Sequence, residues 1–361
     1  MESVWNTEFR SRAKGDVTKN LYYADGCMMK AILDLYYATG DEKYYLYVRD
    51  FMDYYVKEDG TVRGNGDDIA SLNCINIGKP LFDLHSISGN GKYKKAIDCL
   101  YSGLLGFPKT KSGIFWFKKN YPNQVRLNSF YMVQPFFAEY EMLFNENRKY
   151  KDVFGQFKKV YETMRESATG LYFHGFDESR EMAWADCETG LSANFWSASI
   201  GYFAMALVDT AGKLDERFFY EYMTLQGYLK ELLDALWVYA DSDTKLFYQI
   251  TNERGREGNY LETSGSAAIA YSFMKGARMG YLPKYYFNYG EEIFDSILYH
   301  KLENNCLKDI CLSAGLGGKS EYDETLLRDG TFSYYVSEPK VDNDAYGLAP
   351  FISAYAEILR R

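Results

Sequence analysis

Residues Ala24 to Val56, ADGCMMKAILDLYYATGDEKYYLYVRDFMDYYV, read as two helices laid back to back. Met28, Ile32, Leu35 and Tyr36 recur at helical spacing, a Thr-Gly-Asp break follows, and Tyr44, Tyr47, Val48, Phe51 and Tyr55 mark the apolar stripe of a second helix. Gly40 ends the first helix and Asp41 is placed to cap the next. The same phrase returns at 81–105 (LFDLHSISGNGKYKKAIDCLYSGLL), at 136–164 (FFAEYEMLFNENRKYKDVFGQFKKVYETM) and at 274–298 (MKGARMGYLPKYYFNYGEEIFDSIL). A Lys-Tyr opening of the second helix falls at Tyr44, Tyr93, Tyr150 and Tyr285. A fifth hairpin is expected over 195–240, and the last helix, YGLAPFISAYAEILRR from Tyr346, pairs with the N-terminal segment to complete six.

Repetition of this kind means that each hairpin hides its apolar face only against its neighbours. An open array would need polar caps at both ends, whereas pairing the last helix with the first removes the ends. The expected architecture is therefore all-α, a closed toroid of six helical hairpins. The first helix of each pair, rich in Gly, Ala, Ser and Met, is expected inside, and the Lys- and Glu-bearing second helix outside. Long aromatic loops at 110–125, 172–192 and 315–344 collect at one rim, where a site is expected. No low-complexity linker divides the chain, so residues 1–361 are expected to form one domain.

Composition narrows the function. The 361 residues are 47% hydrophobic and 25% charged, an ordinary globular balance. Aromatic content is 18%, with 35 Tyr and 24 Phe. Such side chains suit a wet, carbohydrate-binding cleft, and a Tyr-rich core accounts for them equally well. A net charge of −9 with dispersed Lys and Arg argues against a nucleic-acid partner. Six widely spaced cysteines show no CxxC pair and read as reduced, mostly buried thiols. His85, His174 and His300 lie in no HxxxH or HxxE spacing, so no metal is expected. GLGGKSEYDE lacks the spacing of a phosphate loop, and no G-x-S-x-G elbow supports a serine nucleophile. The opening, MESVWNTEFRSRAKGD, carries no apolar core of a signal peptide, and no run of about 18 apolar residues reads as a membrane span. A cytoplasmic location and no membrane partner are expected.

Four segments carry a resemblance: FWFKKNYPNQVRLNSFYMVQPFFAEYEMLF, YFHGFDESREMAWADCETGLSANFWSASIGYFAMALVD, ETSGSAAIAYSFMKGARMGYL, and AGLGG followed by RDGTFSYYVSEPKVDNDAYGLAPFISAYAE. In order and over nearly the whole chain, they resemble the unsaturated rhamnogalacturonyl and glucuronyl hydrolases of glycoside hydrolase families 105 and 88. That resemblance implies an (α/α)6 barrel acting on oligosaccharides left by polysaccharide lyases, with no cofactor. It also implies a mechanism in which an aspartate protonates the C4=C5 double bond of the terminal uronate, water adds at C5, and the hemiketal opens.

The family's principal acid lies in a motif close to W-L-D-G-x-Y-M. Here the motif reads Arg126-Leu127-Asn128-Ser129-Phe130-Tyr131-Met132, so Asn128 stands at the acid's position. Its second aspartate lies in L-D-x-I-N-x-G, which reads Leu72-Asn73-Cys74-Ile75-Asn76-Ile77-Gly78. Phe117 replaces a pocket histidine, Ala198 removes an arginine, and Arg126 occupies a position usually held by Trp. Arg126 either restores a positive charge for the uronate or faces solvent. The resemblance retains His174, Trp196, Trp184, Trp116, Lys118 and Tyr131 as a sugar-binding set, to which Arg126 and Phe117 are added. Asp67 and Asp68 are the candidate substitute acids. The other rim carboxylates, Asp177, Asp186, Glu188, Asp329, Glu338 and Asp344, are of the kind that cap helices, pair with Arg or face water. Two functions stay open: an unsaturated-uronyl hydrolase, and an inactive or repurposed homologue that binds sugar without turnover.

Overall fold

The computed structural model describes residues 23–63, 71–320 and 325–361. They contain twelve helices, and the first ten form the five hairpins read from the sequence. These are α1 (Tyr23–Thr39) with α2 (Glu42–Tyr55), α3 (Gly78–Ser88) with α4 (Gly91–Leu105), and α5 (Ser129–Phe144) with α6 (Tyr150–Met164). They continue as α7 (Ser197–Ala211) with α8 (Phe219–Tyr239), and α9 (Thr263–Arg278) with α10 (Tyr286–His300). A short α11 (Phe332–Ser337) precedes the final α12 (Ala345–Leu359). The N-terminal segment expected to pair with α12 lies outside the described residues.

Six helices form a closed inner ring. α1 packs on α3, α3 on α5, α5 on α7, α7 on α9, α9 on α12, and α12 returns to α1. The inner position follows from composition. Every residue of α7 (SASIGYFAMALVDTA) is buried, and a Cβ added to Gly265 of α9 would lie 2.7 Å from the Ala198 nitrogen, so α7 and α9 approach at a distance that only glycine allows. Outer helices bury one stripe. In α6 it comprises Val153, Gln156, Phe157, Val160 and Met164, at helical spacing, with the opposite face in water. Asp41 accepts from the Lys43 amide, capping α2 as read from the sequence.

The apolar interior is one connected cluster running through all six hairpin positions. Of the six thiols, only Cys27 and Cys311 are buried; Cys74 and Cys306 are half-buried, Cys99 and Cys187 are exposed, and none is paired. The expectation of mostly buried thiols is corrected by hairpin geometry, since Cys99 sits on the water-facing side of an outer helix and Cys187 on a rim loop. No described helix is long and apolar enough to cross a membrane.

Candidate active site

Four inner helices meet one cavity at their N-terminal ends. Tyr23 opens α1, Asn128 directly precedes α5, Trp196 directly precedes α7, and Tyr346 lies in the first turn of α12; all four line the cavity. Asn73 joins them from the 3-10 turn Leu72–Ile77 that leads into α3. Helix N-termini carry partial positive charge and unsatisfied N–H groups, so this convergence favours a negatively charged ligand.

A small ladder forms another wall. β1 (Gln124–Arg126) pairs antiparallel with β2 (Gly175–Asp177), with Arg126 opposite Gly175. The Leu127 amide donates to the His174 carbonyl at 3.0 Å and carries the pairing one step further. A Cβ at position 175 would stand 2.4 Å from Leu316 Cδ1 and 3.3 Å from Arg126 Nη1, so the glycine lets both side chains close over the ladder. The ladder thus brings Arg126 and His174 to the cavity together.

Arg126 is 2% exposed, so it does not face solvent. Its Nη2 donates to the Leu316 carbonyl at 2.7 Å and to Gln124 Oε1 at 3.0 Å, and the guanidinium lies 4.7 Å from the Trp184 ring centre. Among the described residues it has no carboxylate within salt-bridge distance. Burial pushes its pKa down to about 10. Lys118 and Arg328 also line the cavity, the latter 3.8 Å from Glu338. No Asp or Glu lines the cavity among the described residues.

The two amides share this space. Asn128 Nδ2 donates to the Tyr346 hydroxyl at 3.4 Å, while Asn128 Oδ1 is buried and has no partner among the described residues. Asn73 Oδ1 accepts from Ser129 Oγ at 3.5 Å, which ties it to the first residue of α5. Buried polar atoms in folded proteins are rarely orphaned, so the Asn128 oxygen is placed to meet a donor from a ligand.

His174 is buried, with Nδ1 2.6 Å from the Tyr335 hydroxyl and its ring 4.8 Å from that of Trp196. Burial, and then the charge of Arg126, hold its pKa well below the usual histidine range, so the imidazole is neutral. Trp196 is fixed in turn, since its Nε1 donates to Gln249 Oε1 at 3.0 Å and Gln249 Nε2 donates to the Tyr335 carbonyl at 3.1 Å. The Trp196 ring stacks on Tyr346 at 6.2 Å and 13°.

Of the residues singled out from the sequence, Asn73, Asn128, His174, Trp196, Lys118, Arg126 and Phe117 come together at the cavity. Trp184, Trp116 and Tyr131 do not line it. Trp184 offers its ring to the Arg126 guanidinium, Tyr131 is buried under the Lys79 amine at 3.2 Å, and Trp116 is half-buried beside the core. Asp67 and Asp68 lie outside the described residues. The remaining rim carboxylates serve the loops. Asp177 is buried and accepts from the amides of Ser179, Glu181 and Met182, and Asp186 and Asp329 close turns with Thr189 and Thr331. Asp344 caps α12, Glu338 accepts from the Tyr334 hydroxyl, and Glu188 is exposed.

Tyr23, Tyr121, Arg328 and Tyr346 in the cavity lining, and Tyr335 behind His174, escaped the sequence reading. Tyr346 had a signal, because an Asp344 cap places it in the first turn of a rim-facing helix. Arg328 and Tyr121 sit in loops without a register. Tyr335 meets His174 across 161 residues of chain, which no local pattern encodes.

Comparisons with known proteins agree with this geometry. The sequence model described as Glycosyl Hydrolase Family 88 matches residues 2–361. Protein Atu3128 of Agrobacterium fabrum is 35% identical over 235 residues, 62% of this chain and 97% of its own length. The unsaturated rhamnogalacturonyl hydrolase YesR of Bacillus subtilis is 24% identical over 260 residues, 70% of each protein. A family 105 glycoside hydrolase structure from C. acetobutylicum superimposes with a TM-score of 0.91 at 34% identity, covering 99% of this chain and 98% of that one.

Proposed function

The chain belongs to glycosyl hydrolase family 88, and from that premise we propose that its cavity receives the unsaturated uronyl end of an oligosaccharide released by a polysaccharide lyase. In this reading Arg126 takes the ring carboxylate, Trp196 offers an aromatic face to the sugar, and the Asn128 oxygen accepts from a ring hydroxyl. The observation that carries it is the buried Arg126 guanidinium at a cavity where helix N-termini converge and no carboxylate lines the wall among the described residues. Arg126 Nη2 donates to Leu316 and Gln124 and its Nη1 to Val125, so a carboxylate would meet the positive charge and the remaining N–H groups, in a dry pocket where a charge-assisted contact is strong.

Hydration of the C4=C5 bond needs a proton delivered to C4 before water adds at C5. An amide at position 128 cannot deliver it, and loss of general acid catalysis costs roughly 10²–10⁴ in rate. Asp67 and Asp68, which shortly precede Asn73 in the chain, are the substitute donors to replace first. Their exchange for Asn should abolish whatever hydration the protein performs.

The second reading, binding without turnover, is favoured by the absence of any carboxylate among the described lining residues. One pair of measurements separates the two. Unsaturated pectic and glycosaminoglycan disaccharides are titrated calorimetrically and, in parallel, followed for loss of the ultraviolet absorbance of the double bond. Saturable binding with decay supports the hydrolase; saturable binding without decay at high enzyme concentration supports the binder; absence of binding to every uronide sinks both.

A further inference from the structure

Among the described residues the cavity lining holds no carboxylic acid to protonate a double bond, yet it holds the groups needed to make one. β-Elimination from a saturated, 4-linked uronide needs a cation or amide on the carboxylate, a neutral base near C5, and an acid near the departing O4. Arg126 answers the first need, His174 the second and Tyr346 the third, and all three line one cavity. We infer that this site cleaves saturated 4-linked uronides by elimination, with His174 as base and Tyr346 as acid. The inference rests on the uronate-binding part of the proposed function and goes beyond its chemistry.

Each role fixes where its proton must lie. His174 Nδ1 is engaged with the Tyr335 hydroxyl at 2.6 Å, so Nε2 is the ring nitrogen left to the cavity. The base role requires the tautomer in which Nδ1–H donates to the Tyr335 oxygen and Nε2 carries the lone pair, with Tyr335 as the positioning residue. Burial keeps the imidazole neutral and therefore able to accept a proton. Asn128 Nδ2 donates to the Tyr346 oxygen, which leaves the phenol proton directed elsewhere. An aspartate at position 128 would instead accept from that phenol and repel the substrate carboxylate, so the amide suits elimination as the acid suits hydration.

The step balances without water or cofactor. His174 Nε2 takes the proton from C5, and the electron pair of the C5–H bond forms the C4=C5 double bond. The C4–O4 bond breaks, and the Tyr346 hydroxyl protonates the departing oxygen. Arg126 holds the charge that gathers on the carboxylate as C5 loses its proton. The products are an unsaturated uronide and a free hydroxyl on the leaving sugar, and solvent returns the proton from His174 to Tyr346.

The test uses the full chain with polygalacturonate and a 4-linked glucuronan, following ultraviolet absorbance, with calorimetry on the same uronides. Elimination predicts a rise in absorbance, opposite in sign to hydration. His174→Gln and Tyr346→Phe should each lower the rate of rise roughly 10²–10⁴-fold, with uronide affinity kept within a few-fold and melting showing both variants folded. Asn128→Asp should abolish the rise. Nitrogen-15 spectra of the resting protein should show His174 Nε2 unprotonated. Saturable uronide binding with no rise overturns this inference alone, as does a rise that survives in His174→Gln or a proton found on Nε2. Absence of uronide binding overturns the reading beneath it as well.

Discussion

Lys79 Nζ donates to the Tyr131 carbonyl at 3.1 Å, inside the barrel, and that carbonyl lies four residues before Pro135 of α5. Proline has no N–H to return to residue i−4, so the helix leaves an acceptor that the neighbouring inner helix supplies with a donor. The same arrangement recurs in α12, where Pro350 would leave the Tyr346 carbonyl unmet and the Tyr202 hydroxyl donates to it at 2.6 Å. Both prolines therefore stand one helical turn below a residue at or near the cavity, and the inner ring compensates each from an adjacent helix. Lys79 is 3% exposed, and burial pushes its pKa down to about 7.

This predicts coupling between Lys79 and Pro135. Lys79→Met strands the Tyr131 carbonyl and should cost about 1–3 kcal/mol. In a Pro135→Ala background the helix supplies its own N–H, so the penalty should shrink by on the order of 1 kcal/mol in a double-mutant cycle read by urea unfolding. The pH dependence has a definite sign. The folded pKa lies below the unfolded value, so the unfolded chain binds more protons between about pH 7 and 10 and stability rises with pH across that window. The Lys79→Met penalty should thus be larger at pH 9 than at pH 7; equal penalties would refute a buried, titrating amine.

Arg126→Gln tests the uronate anchor. A hydrogen bond to a charged group contributes about 1.5–3 kcal/mol, so affinity for an unsaturated uronide should fall roughly 10–150-fold while affinity for the corresponding neutral sugar hardly changes. Because the guanidinium is buried, moderate salt should weaken wild-type binding little. Its pKa is held down to about 10, so the binding contribution is present below that value and lost as pH rises through it. Equal losses for charged and neutral ligands would show that Arg126 supports the wall rather than the carboxylate.

Restoring the acids asks whether the cavity is otherwise competent for hydration. In Asn128→Asp with Asn73→Asp, burial and the second carboxylate raise the proton donor's pKa, whereas Arg126 and the α5 N-terminus lower it. A gain of roughly 10²–10⁴ in decay of unsaturated disaccharides is expected. Activity should be highest at mildly acidic pH and fall as the donor ionises. No gain in a folded double variant would mean that the site has been rebuilt beyond these two positions, with Ala198 the next suspect.

The fold was legible because its information is local and repeated. Each hairpin carries its own stripe, its own break and often its own cap, as Asp41 does for α2. Much of the cavity was legible only through registers anchored on both sides, which placed Asn73 and Asn128 before any coordinate did. What the chain hides is convergence across distance. Arg126 reads as solvent or pocket until β2 and Leu316 close over it, and Trp184 reads as a sugar platform until that guanidinium covers its face. Tyr335 and Tyr346 are two among 35 tyrosines until the ring closes.

The end of the barrel opposite the cavity sets the acid limit of stability. Asp34 of α1 is 5% exposed and receives Lys30 Nζ at 2.7 Å, Ser353 Oγ at 3.2 Å and the more distant Arg360 at 3.8 Å. Burial opposes its ionisation, but Lys30 and Arg360 more than offset that, and the carboxyl titrates well below the usual range. A depressed folded pKa gives stability that is present above the unfolded value, about 4, and lost as pH falls through the folded one. Lys30→Met leaves the buried carboxylate with Ser353 and the more distant Arg360 and Lys275 and should cost about 3–5 kcal/mol at neutral pH. The loss should shrink in acid, because Asp34 without Lys30 takes up its proton at a higher pH than in the wild type, and the neutral carboxyl no longer needs the amine. Unfolding by urea from pH 3 to 7 reads both limbs. A penalty that stays constant across that range would place the stabilisation in the packing of the lysine stem, not in the ion pair.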